Sequence, residues 1–328
     1  MLRRAALSAI VLAALASAPA AAGDGGPSPG FMQGWTGITA PNVQVRYVTL
    51  PVQNVTTLAS VRKSDGRVET WAAFKGSLGI PMVAGDGTAG GLSRDGRFLV
   101  LARWDPPRNG WLRSVSTFEL VNTRSLHVWR TITLRGDFSF DALSPGGGTL
   151  YLIQHVSSTD VNRYLVRAYD IASSRLLPQV IADRRQQGWV MRGYPLRRVA
   201  SADGRWVYTL YQQNGGYPFV HALDAVAKRA VCIGVPWTGR QPRLPSARLR
   251  LDEHSGTLSV LGPAGREYRI DTATFQVSLP KQGGGVAAAL VAGPAAGLAA
   301  LALLGVAFRR RRSLVRTRAL TASQRVPS

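Results

Sequence analysis

Leu92-Ser93-Arg94-Asp95-Gly96-Arg97-Phe98-Leu99-Val100 is a turn set between two apolar runs, and it comes back. It returns as Leu143-Ser144-Pro145-Gly146-Gly147-Gly148-Thr149-Leu150-Tyr151 and as Ala200-Ser201-Ala202-Asp203-Gly204-Arg205-Trp206-Val207-Tyr208. Leu251-Asp252-Glu253-His254-Ser255-Gly256-Thr257-Leu258 is a looser copy. The aligned glycines, Gly96, Gly147, Gly204 and Gly256, are 51, 57 and 52 residues apart. In such a turn Asp and Ser accept hydrogen bonds from amides a residue or two on, and Gly supplies a positive φ.

A second turn alternates with the first. Asn122, Asp170, Asp224 and Asp271 open it, at intervals of 48, 54 and 47, and Val61-Arg62-Lys63-Ser64-Asp65-Gly66 is an earlier relative. Two independent turns that share a period of about 50 residues mark a repeat architecture. The flanking runs, such as Phe98-Leu99-Val100-Leu101 and Trp206-Val207-Tyr208-Thr209-Leu210, are short, β-branched and aromatic, which predicts strands. Each period then holds four strands, at about 88–93, 97–103, 115–121 and 126–134 in the second unit. In the third they fall at about 138–143, 149–155, 164–170 and 176–181. Four antiparallel strands per period predict a propeller blade.

On these turns the chain resembles the YVTN and WD-repeat-like β-propellers over about residues 40–280. Those families carry a Ser-Pro-Asp-Gly turn between the first two strands of a blade and an Asp-x-x-Thr-Gly turn between the last two. The resemblance implies an architecture and no activity. Gly146 stands where the first turn wants Asp, and no Gly follows Thr274, so these two blades are expected to be less regular. The fold class is all-β, a propeller of about five blades over residues 42–280. Six is the count if residues 25–42 and the long loops hide strands, and a two-sheet sandwich is the competing fold.

Alternating strand direction puts both recurring turns on one face of the disc. The other face receives every long loop: Trp104 to Trp111, Gln212 to Tyr217, and the inter-blade links Ala182 to Pro195 and Pro236 to Ser246. These loops hold Trp104, Arg108, Trp111, Arg184, Arg185, Trp189, Tyr194, Tyr217, Trp237 and Arg240. Trp, Tyr and Arg dominate binding hot spots, so these residues are the candidate recognition surface. The competing role for the Trp residues is to fill gaps between blades.

The two ends read as targeting rather than fold. Arg3 and Arg4, twelve apolar residues to Ala16 and the small Ala18-Pro19-Ala20-Ala21-Ala22 make residues 1–22 an export signal. Residues 23–41 form an N-terminal extension. After the Gly-rich linker 281–285, Val286–Phe308 is 23 residues without a charge, long enough to cross a bilayer. Arg309, Arg310, Arg311 and Arg312 follow, which predicts a basic cytoplasmic tail over 309–328 and an outward-facing propeller. The last strand should end on the long-loop face, and a five-residue linker reaches at most roughly 18 Å, so that face is expected to look toward the membrane. Gly293 and Gly297 form a small-residue pair that permits a weak homodimer.

Charge follows the same division. Of the net +22, seven Arg lie in the tail and two in the leader, which leaves +13 between them. Much of the basicity is thus topology signal, which argues against a nucleic-acid partner. A +13 outer domain suggests anionic lipid headgroups, cell-wall polymers or an acidic envelope protein.

Catalytic chemistry is thin. His127, His155, His221 and His254 fall in different units without metal-ligand spacing, and no hydrolase, metalloprotease or phosphate-loop motif appears, so no metal or cofactor is expected. Cys232, between Val231 and Ile233, reads as a buried small hydrophobe rather than a nucleophile. Glu119 and Asp141 are the only acids placed within strands away from turns. The expected role is therefore a binding module, with an enzyme at the central channel (lactonase- or quinoprotein-like) or a structural envelope protein as alternatives.

Overall fold

The computed structural model describes residues 31–278, apart from 33–35, 42, 106–111, 161–162, 186–190, 214–215, 238–240 and 263–264. The leader, the apolar span and the basic tail lie outside the described residues. Among the described residues no helix is long and apolar enough to cross a membrane.

The strands form five separate antiparallel sheets, which removes the sandwich and gives the propeller with five blades. Blade 1 consists of β2 (Val45–Val52), β3 (Val55–Arg62) and β4 (Val68–Lys75), with Ile38 bridged to Tyr47 on its inner side. Blade 2 has β5 (Leu78–Pro81), β6 (Phe98–Arg103), β7 (Val115–Asn122) and β8 (His127–Arg135). Blade 3 has β9 (Asp137–Leu143), β10 (Thr149–His155), β11 (Arg163–Asp170) and β12 (Arg175–Val180). The short β13 (Met191–Arg192) pairs with β11. Blade 4 has β14 (Tyr194–Ala200), β15 (Trp206–Gln212), β16 (Phe219–Asp224) and β17 (Arg229–Gly234). Blade 5 has β18 (Arg248–Asp252), β19 (Thr257–Leu261), β20 (Glu267–Asp271) and β21 (Val277–Ser278), after a short 3-10 turn at Gln241–Ser246. Among the described residues no sixth sheet forms, and β1 (Phe31–Met32) adds to β5 of blade 2; the rest of the expected extra strand material lies largely outside the described residues.

The period-50 turns are local consequences of the sequence. Gly96, Gly147, Gly204 and Gly256 all take positive φ, between 62° and 75°. Asp95 Oδ1 accepts the Arg97 amide at 3.0 Å and Asp203 Oδ1 accepts the Arg205 amide at 2.9 Å. Blade 3, which has Gly146 there, still closes its turn through Ser144: its carbonyl accepts from Gly147 and its Oγ from Thr149. The expected irregularity is therefore absent from blade 3's turn, because the Ser completes it without the Asp. In the second turn the left-handed position falls on Leu126, Ser174, Lys228 and Phe275, none of them glycine.

Second and third strands of the inner blades are packed on both faces, so they read as nearly continuous apolar runs, as in β15, where Val207 to Tyr211 are all buried. Outer strands such as β4 and β8 are mostly exposed. Apolar clusters join blades 1 and 2, 2 and 3, 3 and 4, and 4 and 5. The remaining cluster, Val48, Ala59 and Val61, belongs to blade 1 alone. The blade 5 face turned away from blade 4 carries Arg248, Arg250, Ser259, Glu267 and Arg269 instead of apolar side chains.

Two short links share one latch. Thr56 Oγ1 accepts the Leu78 amide at 2.8 Å and donates to the Gly76 carbonyl at 2.9 Å, tying blade 1 to the first strand of blade 2. Ser116 does the same between Phe138 and Gly136, at 2.8 and 2.9 Å.

Candidate functional site

One excursion of the chain reaches from blade 2 to blade 4. The chain leaves β5, turns back over residues 82–90 with Met82 bridged to Ala89, and resumes the inner strand where Leu92 bridges Leu99. This excursion displaces the first strand of blade 2 from the 88–93 expected from sequence. Its tip crosses the axis to blade 4: Gly85 donates to the Pro195 carbonyl at 2.9 Å, and Asp86 lies 3.7 Å from Arg197. A side chain at Gly85 would collide with Tyr194, and one at Gly90 with Phe140, so both approaches depend on glycine. β1 lies beside β5, with Phe31 occupying the space above Gly79. At the tight-turn end Arg94 reaches the Ala202 carbonyl and Glu253 accepts the Ala202 amide, so turns of blades 2, 4 and 5 close that mouth.

The strand acids are structural. Asp141 pairs with Arg198 across the seam of blades 3 and 4, where both side chains are under one-tenth exposed. Glu119 is held by Arg103 at 3.2 Å and by Thr131 at 2.6 Å. Asp137, a third strand acid that begins β9, binds Arg113. Among the described residues no cluster of three or more His, Cys, Asp or Glu could hold a metal. Cys232 Sγ lies 3.6 Å from His221 Nδ1, but burial pushes the thiol up to about 12 and the imidazole down to about 4. Both are therefore neutral near pH 7, and the pair has no nucleophile.

The strand ends that flank the long loops lie at one end of the disc, as the strand directions require. Trp104 is 49% exposed and meets Phe31 edge to face at 5.7 Å. Tyr217 is 69% exposed. Arg184 is exposed in the link that follows blade 3. Arg185 is exposed too, but it pairs with buried Asp183 at 2.6 Å, and Asp183 accepts the Cys232 amide at 2.9 Å. Burial pushes the Asp183 carboxyl up, while Arg185 and the two amides outweigh it and hold it down at about 2. Arg185 thus anchors the link as well as facing solvent.

Two of the candidates are packing residues. Trp237 is 6% exposed and stacks on Tyr268 at 5.6 Å inside the core of blades 4 and 5, where a Cβ at position 262 would strike it. Its burial follows from the apolar walls that Val235 and Tyr268 offer, so Trp237 is not part of the surface. Tyr194 is half-buried at the start of β14 and packs against the tip of the central excursion. Arg108, Trp111, Trp189 and Arg240 lie outside the described residues.

Trp104, Arg184, Arg185 and Tyr217 therefore share a face but belong to different blades and do not converge on one point. Sequence reading missed further members of that face. Lys75, Arg135, Arg163, Arg192 and Arg248 sit at strand ends or links on the same side, all exposed. Their signal was positional: each is the first or last residue of a strand at its long-loop end.

No family model matches this chain, and no curated protein does. Among solved structures it is similar to TolB from Acinetobacter baumannii, at 13% identity over 74% of this chain and 53% of that one, with a TM-score of 0.43. It is also similar to the Cps50 (Swd1) β-propeller domain from Myceliophteria thermophila, at 14% identity over 74% and 72%, with a TM-score of 0.41. The chain spans about half the length of the first. The WD-repeat-like propeller architecture rests on the five sheets themselves.

Proposed function

We propose that this chain is an exported, single-pass membrane protein whose propeller is a binding module, and that its long-loop face recognises a protein or envelope component. The observation that carries the reading is the contrast between the two candidate sites. The centre is crossed by the 82–90 excursion, and its acids are paired, whereas the long-loop face exposes Trp104, Tyr217 and Arg184. An enzyme at the channel would need an open cavity with free carboxylates or His, and the paired acids and the excursion between blades 2 and 4 count against it. Export, the membrane span at Val286–Phe308 and the inward Arg309–Arg312 tail are part of the proposal on sequence grounds.

The test is capture from solubilised membranes with the full-length protein and with a Trp104→Ala, Arg184→Ala, Tyr217→Ala variant. The reading expects a partner held by the wild type and lost by the variant at unchanged stability. Equal capture by both would overturn it.

A further inference from the structure

The tight-turn face carries acids and cations together, paired at Arg62, Arg97, Arg205 and Arg229, whereas the long-loop face carries an excess of cations. Asp65, Asp95, Asp170, Asp203, Asp224, Asp252 and Asp271 all accept backbone amides in the tight turns. The repeat thus places seven of its acids at one end of the disc because its turns need them there. At the other end Lys75, Arg135, Arg163, Arg184, Arg192 and Arg248 are exposed and make no ion pair among the described residues. Of the described acids on this side, Asp137, Asp183 and Glu267 are held by Arg113, Arg185 and Arg269, and Asp105 and Asp160 offset only part of the cationic charge. The domain's positive excess therefore sits on the long-loop face.

The six cations are distributed around the ring: blade 1 supplies Lys75, blade 2 Arg135, blade 3 Arg163, the following link Arg184 and Arg192, and blade 5 Arg248. Charges that converge suit a small anion, whereas charges spread over a disc suit a planar anionic layer that meets them together. Trp104 and Tyr217 stand exposed on the same side, and these two residue types favour the headgroup region, with the ring in the apolar boundary and the polar atom in water.

We infer that the long-loop face docks on the anionic phospholipid headgroups of a bilayer. The inference rests on the binding-face reading above and names the chemistry of one partner of that face. Each basic residue near an anionic membrane strengthens binding by roughly fivefold, so six produce a composition-dependent attachment.

Hydrogen exchange of the full-length protein in lipid nanodiscs tests it, comparing pure phosphatidylcholine with a phosphatidylglycerol mixture. The comparison of compositions holds whether or not residues 286–308 insert. With phosphatidylglycerol, amides around Trp104, Arg184–Arg185 and Tyr217 should exchange several-fold more slowly, while the turns at 93–97 and 201–205 stay unchanged. The slowing should vanish in high salt and in a Lys75→Gln, Arg135→Gln, Arg163→Gln, Arg184→Gln variant. It should persist when the three arginines become Lys, which keeps the charge and checks that the fold is intact. Equal exchange in both lipids overturns the inference. So does slowing by soluble polyphosphate without any by phosphatidylglycerol. If exchange ignores lipid while the capture experiment still yields a partner, the lipid inference alone falls and the binding-module reading stands.

Discussion

The Ser116 hydroxyl accepts the Phe138 amide at 2.8 Å, and through this bond the third strand of blade 2 holds the first strand of blade 3. The same oxygen donates to the Gly136 carbonyl, so one side chain satisfies the carbonyl of the one-residue link and an amide of the strand that follows it. Replacing Ser116 by Ala leaves a buried amide and a carbonyl without that partner. A loss of about 1–3 kcal/mol is expected, read as a lower urea midpoint at unchanged slope. Thr56→Val should cost a similar amount, because Thr56 makes the equivalent pair of bonds.

The Asp141–Arg198 pair should behave as a buried ion pair. Arg198 also donates to the Asp141 carbonyl and to Thr209. Arg198→Met alone strands a buried carboxylate and should destabilise by about 3–5 kcal/mol. Asp141→Leu with Arg198→Met removes both charges and should recover a large part of that loss. A double-mutant cycle by urea unfolding reads the difference. An additive result would show that the two side chains do not depend on each other.

The repeat turns allow opposite predictions at neighbouring places. Gly204→Ala puts a Cβ at φ +73°, within 3.2 Å of Arg94, and should cost about 1–2 kcal/mol. Gly146→Asp meets nothing within 4 Å and lies outside the left-handed region. The new carboxylate can accept the Gly148 amide as Asp95 and Asp203 accept theirs, so a gain of about 0.5–1.5 kcal/mol is expected. Thermal melts of the two variants check both signs.

These turns also mark how far the sequence could be read. Gly96, Gly147, Gly204 and Gly256 declare themselves because a positive φ leaves few residue choices, and their spacing carries the blade pattern with it. The strands of blade 3 therefore fell within a residue or so of their positions. The latch was equally legible and went unread. Thr56, Gly76 and Leu78 have the same spacing as Ser116, Gly136 and Phe138. The 82–90 excursion was not legible, since its glycines answer to Tyr194 and Phe140, side chains distant in the chain. Trp237 and Trp104 could not be separated either, because both are loop tryptophans and only the packing of Tyr268 decides that one is core.

Falling pH should weaken the fold in two stages. His221 is buried, and desolvation lowers its folded value to about 4 from an ordinary 6.5. A base with a lowered folded value takes its proton first in the unfolded chain. Stability is then full above about pH 6.5 and declines toward pH 4, by roughly 3 kcal/mol. The turn aspartates and Asp183 have lowered folded values, so their contribution is present above about pH 4 and is lost below it. His221→Phe should flatten the first stage and leave the second. Urea midpoints measured from pH 3 to pH 8 on the wild type and this variant show whether the stages separate.

The most direct test of the binding face is photocrosslinking in intact cells, with a photoreactive amino acid at Tyr217 on the long-loop side or at Arg124 in a tight turn. The account predicts crosslinked adducts from position 217 and none from position 124. Adducts from position 124, with none from 217, would contradict it.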